Sequence, residues 1–145
     1  MLTSDLYARI VVDRRLGDPC DKGLMRDIQA QSSVEYFRDR SAGPIAVVKV
    51  ELLNRDGTSR TRSKYGNYPF YVVRETPRCL LLMGRMFGST CRSTFTGGKL
   101  EFLVDLHPSA ARIVKMRFRV VDSTLVNLSP QGPKARDDFI AVAAR

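Results

Sequence analysis

Lys99-Leu-Glu-Phe-Leu-Val-Asp-Leu106, followed by Ile113-Val-Lys-Met-Arg-Phe-Arg-Val-Val121, alternates apolar and polar residues with a period of two. That is the period of a half-buried strand, not of a helix. Leu100, Phe102, Val104 and Leu106 form one face of the first run, with Lys99, Glu101 and Asp105 on the other. In the second run Val114, Met116, Phe118 and Val120 face inward, and Lys115, Arg117 and Arg119 share the outward face. Alternate positions on a strand lie about 6–7 Å apart, so these three cations stand in one row. Like charges so placed repel, which calls for an anionic partner or for neutralisation by cross-strand acids such as Glu101 and Asp105.

The same period recurs outward from this pair. Val47 to Leu53 sets Val48, Val50 and Leu52 against Lys49 and Glu51, and Asn54-Arg-Asp-Gly57 is turn chemistry. Phe70 to Arg74 is a short strand closed by Pro77. Cys79 to Phe87 reads as a buried strand, with Gly84 marking a bulge or a close backbone approach. Ser123 to Leu128 is a partner strand ended by Gly132-Pro133. Toward the N-terminus the pattern weakens. Leu6 to Val12 fits a short strand or a helical turn, Gly17-Asp-Pro19 is a break, and Asp21 to Phe37 fits one or two helical turns with Ser32-Ser33 as a cap. The sequence therefore predicts one β-rich domain over residues 1–145, an antiparallel sheet or β-sandwich with a few short helices. Residues 1–40 form a flexible lead-in, 45–128 the β core, and 134–144 a short helix with Asp137 and Asp138 in its first turn.

The chain has 24 Lys and Arg against 15 Asp and Glu, a formal charge of +9. Residues 1–40 are balanced, seven against seven, whereas residues 54–119 hold thirteen Lys and Arg against four acids. A positive field confined to the middle of the chain attracts nucleic-acid phosphates or acidic headgroups at a membrane surface. No apolar run approaches the roughly 20 residues that span a bilayer, so membrane contact is expected to be peripheral. The start shows neither a signal peptide nor a myristoylation glycine. Cys20, Cys79 and Cys91 are odd in number and lack CxxC spacing, which fits reduced thiols in a cytosol-like compartment.

Catalytic patterns are sparse. His107, the only histidine, precedes Pro108 and reads as a loop residue with a local hydrogen bond, with no metal-site companions. Cys79 and Cys91 read as buried small hydrophobes, and Gly97-Gly98-Lys99 as a tight turn rather than a phosphate loop. No enzyme, metal or cofactor is expected. The connection Asn54 to Lys64 carries Arg55, Arg60, Arg62 and Lys64 among Gly, Ser and Thr, a composition suited to a mobile arm reaching phosphates or to a solvated loop. Tyr65, Tyr68, Phe70 and Tyr71 interleave with it, either as stacking platforms for bases or as core. Arg55, Arg60, Arg62, Lys64, Lys115, Arg117 and Arg119 are thus the candidate residues for nucleic acid or acidic lipid.

Three segments together resemble the small matrix protein of bornaviruses and nyamiviruses, among the non-segmented negative-strand RNA viruses. They are Ala46 to Leu53 leading into Gly57-Thr-Ser-Arg60, then Asn67 to Pro77, then Leu100 to Ala110 followed by Ile113 to Asp122, in the same order over about residues 34–128. The resemblance implies a β-rich matrix fold and self-association into tetramers or larger arrays. It also implies a place beneath the virion envelope, contact with RNA or nucleocapsid and with a viral glycoprotein tail, and a role in budding. The residues alone leave open a second reading, a soluble RNA-binding module with no membrane role.

Overall fold

The computed structural model describes residues 3–129; the expected helix at 134–144 and the Gly132-Pro133 break lie outside them. Two helices open the chain. In α1 (Ser4–Asp13), Leu6, Tyr7, Ile10 and Val11 recur at helical spacing and are all buried along one face. In α2 (Lys22–Gln31) the Asp21 carboxylate caps the start, accepting the N–H groups of Gly23 and Leu24 at 3.0 and 3.2 Å. Ser32, just past α2, is extended, and its hydroxyl accepts the Glu51 N–H at 3.0 Å.

Eight strands follow: β1 (Ser33–Asp39), β2 (Gly43–Lys49), β3 (Tyr68–Glu75), β4 (Leu80–Gly88), β5 (Thr90–Thr96), β6 (Lys99–Ser109), β7 (Arg112–Val121) and β8 (Thr124–Asn127). They form two antiparallel four-stranded sheets, β1-β2-β3-β4 and β5-β6-β7-β8, and the chain passes from one to the other at Ser89. The β-rich architecture that the alternation predicts is the one present. The two-residue hairpin at Gly97 and Gly98, with φ of 60° and 78°, is the expected tight turn.

Residues 3–40 are no flexible lead-in. Leu6, Tyr7, Ile10, Val11 and Ile28 pack with Val48, Val50, Leu52, Tyr71 and Val73 into a core on the outer face of the first sheet. A second core, between the sheets, joins Ile45, Val47, Phe70, Val72 and Met86 to Phe102, Val104, Met116 and Phe118. The layers are therefore helices, first sheet, second sheet. Each of these buried side chains contributes about 1.5–3 kcal/mol of transfer free energy. Strands β1 and β5 do not show in the alternation of the sequence. Both are edge strands, largely exposed, so their polar residues blur the pattern.

Gly84 shows both features expected of it. The register of β3 with β4 shifts between Val72 and Val73, and a Cβ on Gly84 would lie 2.6 Å from Leu125 Cβ of β8. Four residues on, a Cβ on Gly88 would lie 2.3 Å from Val104 Cγ1 of β6. Within about 13 Å of its length β4 thus passes from over β8 to over β6, two strand spacings away, so it crosses the second sheet obliquely.

Candidate anion-binding surface

The 50–67 connection between β2 and β3 carries the Arg-rich segment. It is hydrogen-bonded along its length and is not the free arm its composition suggests. Arg60 N–H donates to Leu52 O at 2.7 Å, Thr61 Oγ1 accepts from Leu52 N–H at 3.2 Å, and the Glu51 carboxylate accepts the Ser59 and Thr61 hydroxyls at 2.5 and 3.0 Å. The turn at Asn54 forms as predicted. Gly57 takes φ 87°, and Asp56 accepts from the Thr58 hydroxyl and amide, which holds its carboxyl below the usual range.

Within this frame the four loop cations separate. Arg60 is structural, because its Nη2 donates to the Leu16 carbonyl at 2.5 Å and ties the loop to the segment that follows α1. Arg55 stands exposed at the turn. Arg62 and Lys64 have no carboxylate partner among the described residues. The Arg62 guanidinium lies 6.0 Å from the Tyr68 ring centre and Lys64 Nζ 5.6 Å from that of Tyr65. Lys49 approaches the same Tyr68 ring at 4.1 Å. Of the four interleaved aromatics, Phe70 and Tyr71 are core, whereas Tyr65 is exposed at the loop.

Arg62, Lys64 and Tyr65, with Ser63, Gly66 and Ala110, line an open cleft of about 600 Å³ whose far wall is His107. His107 is not in a loop. Strand β6 runs on to Ser109, and beyond the start of β5 the Asn67 carboxamide takes the vacant neighbour's place. Its Oδ1 accepts the His107 N–H at 2.9 Å, and its Nδ2 donates to the His107 carbonyl at 2.6 Å. That side chain is 40 residues away, so the bond is long-range rather than local. Asn67 is itself buried, and nothing in its sequence surroundings marks it as the residue that builds the cleft wall.

The Lys115, Arg117 and Arg119 row is in place on the outer face of the second sheet, but it is largely neutralised. Lys115 Nζ lies 3.3 Å from Asp105 Oδ1. Glu101 Oε1 accepts Arg117 Nε and Nη2 at 3.0 and 2.8 Å, and Oε2 accepts Arg119 Nη2. Glu101 is only 1% exposed. Burial alone would raise its pKa, but the two guanidinium partners outweigh that and hold the carboxyl below its ordinary value. Of the two readings open for the row, neutralisation by the cross-strand acids Glu101 and Asp105 is the one present, three cations shared between two acids. Cross-strand pairing supplies the reason: Glu101 faces Arg119 and Asp105 faces Lys115 in the β6–β7 register. Arg92 of β5 and Lys99 of β6 fall on the same face by alternation, so five cations meet two acids there.

Because His107, Asp105 and Glu101 lie along one strand, the loop cleft and the row border each other across β6. Of the seven candidate cations, the three with neither a carboxylate partner nor a side-chain tie to a backbone carbonyl among the described residues, Arg55, Arg62 and Lys64, all lie on the loop.

The remaining reactive groups are dispersed. Cys20 and Cys79 are exposed, which corrects the expected burial of Cys79, and Cys91 is partly buried. Burial, helped by Glu35, pushes the Cys91 thiol up to about 12. Tyr71 and Arg85 close on Asp13 at the end of α1. Arg85 Nε and Nη2 donate to the carboxylate at 2.8 and 3.1 Å, and the Tyr71 hydroxyl donates to the same Oδ2. Burial and then Asp13 raise the Tyr71 pKa. This cluster fastens the helix to the sheet. Among the described residues no three His, Cys, Asp or Glu side chains gather as a metal site requires, and no helix is long and apolar enough to cross a membrane. No protein-family model, no curated protein sequence and no solved structure matches the chain.

Proposed function

We propose that this chain is a viral matrix protein of the bornavirus kind. In this reading it is a structural, non-enzymatic oligomer that lies against the acidic inner face of an envelope, meets the ribonucleoprotein, and drives assembly and budding. The observation that carries the reading is the uncompensated pair Arg62 and Lys64, set at an open cleft that borders a sheet face with five cations and two acids. The three-segment resemblance over about residues 34–128 supports the viral assignment.

Magnitudes argue for assembly. A cation near an anionic membrane is worth about 1 kcal/mol. Arg55, Arg62 and Lys64 together thus give about 3 kcal/mol, roughly a hundredfold enrichment, too little to hold one copy on a surface. Arrays multiply that contact without adding a new one.

Co-sedimentation with vesicles tests this. Wild-type protein pellets with phosphatidylserine-containing vesicles and not with neutral phosphatidylcholine, and Arg62→Ala/Lys64→Ala reduces the bound fraction at least tenfold. Equal binding to both vesicle types, or none to either, overturns it. The second reading, a soluble RNA-binding module, draws on Tyr65, whose exposed ring beside Lys64 could stack a base. It gives steeply salt-dependent RNA binding with no vesicle binding.

A further inference from the structure

Among the described residues the two sheets end in four edge strands, β1, β4, β5 and β8. Exposed edges invite pairing with another chain, and folded proteins blunt them with charge, bulges or shortness. Three of the four are blunted here. Strand β8 has four residues, β4 carries the register shift opposite Val72 and Val73, and β1 carries Glu35, Arg38 and Asp39. Strand β5, Thr90-Cys-Arg-Ser-Thr-Phe-Thr96, is the least protected, with no bulge, full length and a single charge at Arg92. It pairs in unbroken register with β6 over seven residues and holds three threonines, one charge and no proline. Its Phe95 is 60% exposed.

We infer that β5 is the edge through which two copies of this chain associate, pairing antiparallel about a two-fold axis at Ser93. In that register all seven residues are matched. Thr90 faces Thr96 of the second copy, Arg92 faces Thr94, Cys91 faces Phe95, and Ser93 faces itself. Threonine pairs and aromatic cover are favourable across strands, and no like charges stand directly opposite. A second copy fits better than an unrelated strand because the pattern is its own complement. The pairing also continues the second sheet into one of eight strands, placing the two copies' Lys99, Arg92, Lys115, Arg117 and Arg119 on a common face. In naming the surface of self-association, this inference rests on the function proposed above.

Cysteine trapping tests it. In protein with Cys20→Ser and Cys79→Ser, and with the partly buried Cys91 retained, Ser93→Cys forms a disulfide-linked dimer under mild oxidation. Residues directly opposite on antiparallel strands have Cα separations of about 4.5–5.5 Å, within disulfide range. Thr96→Cys, which faces Thr90 instead, crosslinks at least tenfold more slowly. Sedimentation of the wild type shows a monomer–dimer equilibrium, and Phe95→Lys, at an exposed position, shifts it at least tenfold toward monomer with an unchanged circular dichroism spectrum. A strictly monomeric wild type, or equal crosslinking of the two cysteine variants, overturns the inference. Vesicle binding by a monomeric wild type would sink the β5 interface and leave the anionic-surface reading standing. A trapped Ser93→Cys dimer that ignores anionic vesicles would do the reverse.

Discussion

The Asn67 carboxamide closes both polar groups of the His107 backbone, at 2.9 and 2.6 Å, and so fixes the loop that carries Arg62 and Lys64 to the second sheet. Asn67→Ala removes donor and acceptor together and leaves the partly buried N–H and C=O of His107 unmatched. A buried unmatched group costs about 1–3 kcal/mol, and access to water at the cleft lowers that. The expected loss is about 1–3 kcal/mol, read as a fall in Tm of about 2–4 °C per kcal/mol. Anion binding should weaken in the same variant under conditions where it remains folded.

Glu101 restrains two arginines that would otherwise be free. Glu101→Ala strands both guanidiniums, and because Arg117 is about half exposed and Arg119 only partly buried, it should cost about 1.5–3 kcal/mol, the range for hydrogen bonds to charged groups. Glu101→Gln keeps an acceptor while removing the charge, so it should be milder and raise affinity for anionic vesicles. Urea unfolding and vesicle titration of the two variants check this; a Gln variant that binds more weakly than wild type refutes it.

Acid should unfold this protein partly through two carboxyls. Burial would raise Asp39, but donation from the Ser41 hydroxyl and from the Ala42 and Leu100 amides holds it below the ordinary aspartate value. Glu101 is likewise depressed. Unfolded values are about 3.9 for Asp and 4.3 for Glu. Both groups therefore stabilise the fold fully above those values, and that contribution is lost as pH falls through the lower folded-state values. The urea midpoint should hold steady from pH 7 to about 5 and decline below about 4, and Asp39→Asn should flatten the decline.

The close crossing of the sheets makes Gly88→Ala severe. Its Cβ would stand 2.3 Å from Val104 Cγ1 and 2.7 Å from the Asp105 carbonyl oxygen, and backbone cannot swing aside as a side chain can. A loss above about 3 kcal/mol is expected, at the upper end for overpacking. Gly57→Ala meets nothing within 4 Å and should lose less, its cost coming only from the positive φ. Thermal melts of the two variants compare them directly.

Thiol reactivity should divide the cysteines. Cys20 and Cys79 are exposed, while the Cys91 thiol is pushed up to about 12. Two fast equivalents and one slow equivalent with a disulfide reagent at about pH 8 are expected. Three fast equivalents would mean that β5 opens readily from the sandwich.

Strands buried on one face were legible because alternation is the direct imprint of a two-sided sheet. Leu100 to Leu106 and Val114 to Val120 needed nothing else. The edge strands β1 and β5 escaped notice because they are contacted on one side only, so Glu35 and Thr94 carry no strong pattern. The helices were half legible: Leu6, Tyr7, Ile10 and Val11 share a face, but their few turns gave no hint that they cover Val48 and Tyr71. The candidate cations were all visible as residues. Which of them are free depends on cross-strand register, which pairs Glu101 with Arg119 and Asp105 with Lys115, and on the distant carbonyl that occupies Arg60. Charge count reveals quantity, and register decides availability.

The crossing from one sheet to the other at Ser89 also orders events on the ribosome. Within each sheet every strand pairs with its neighbour in the chain, so the helices and the first sheet can assemble as soon as Gly88 has emerged. Until residues 89–129 follow, Ile45, Val47, Phe70, Val72 and Met86 have no opposing layer. At about 5–20 residues per second that interval lasts roughly 2–8 s. For those seconds the nascent chain presents a bare apolar sheet, the stage at which exposed hydrophobic surface is most open to aggregation or chaperone capture.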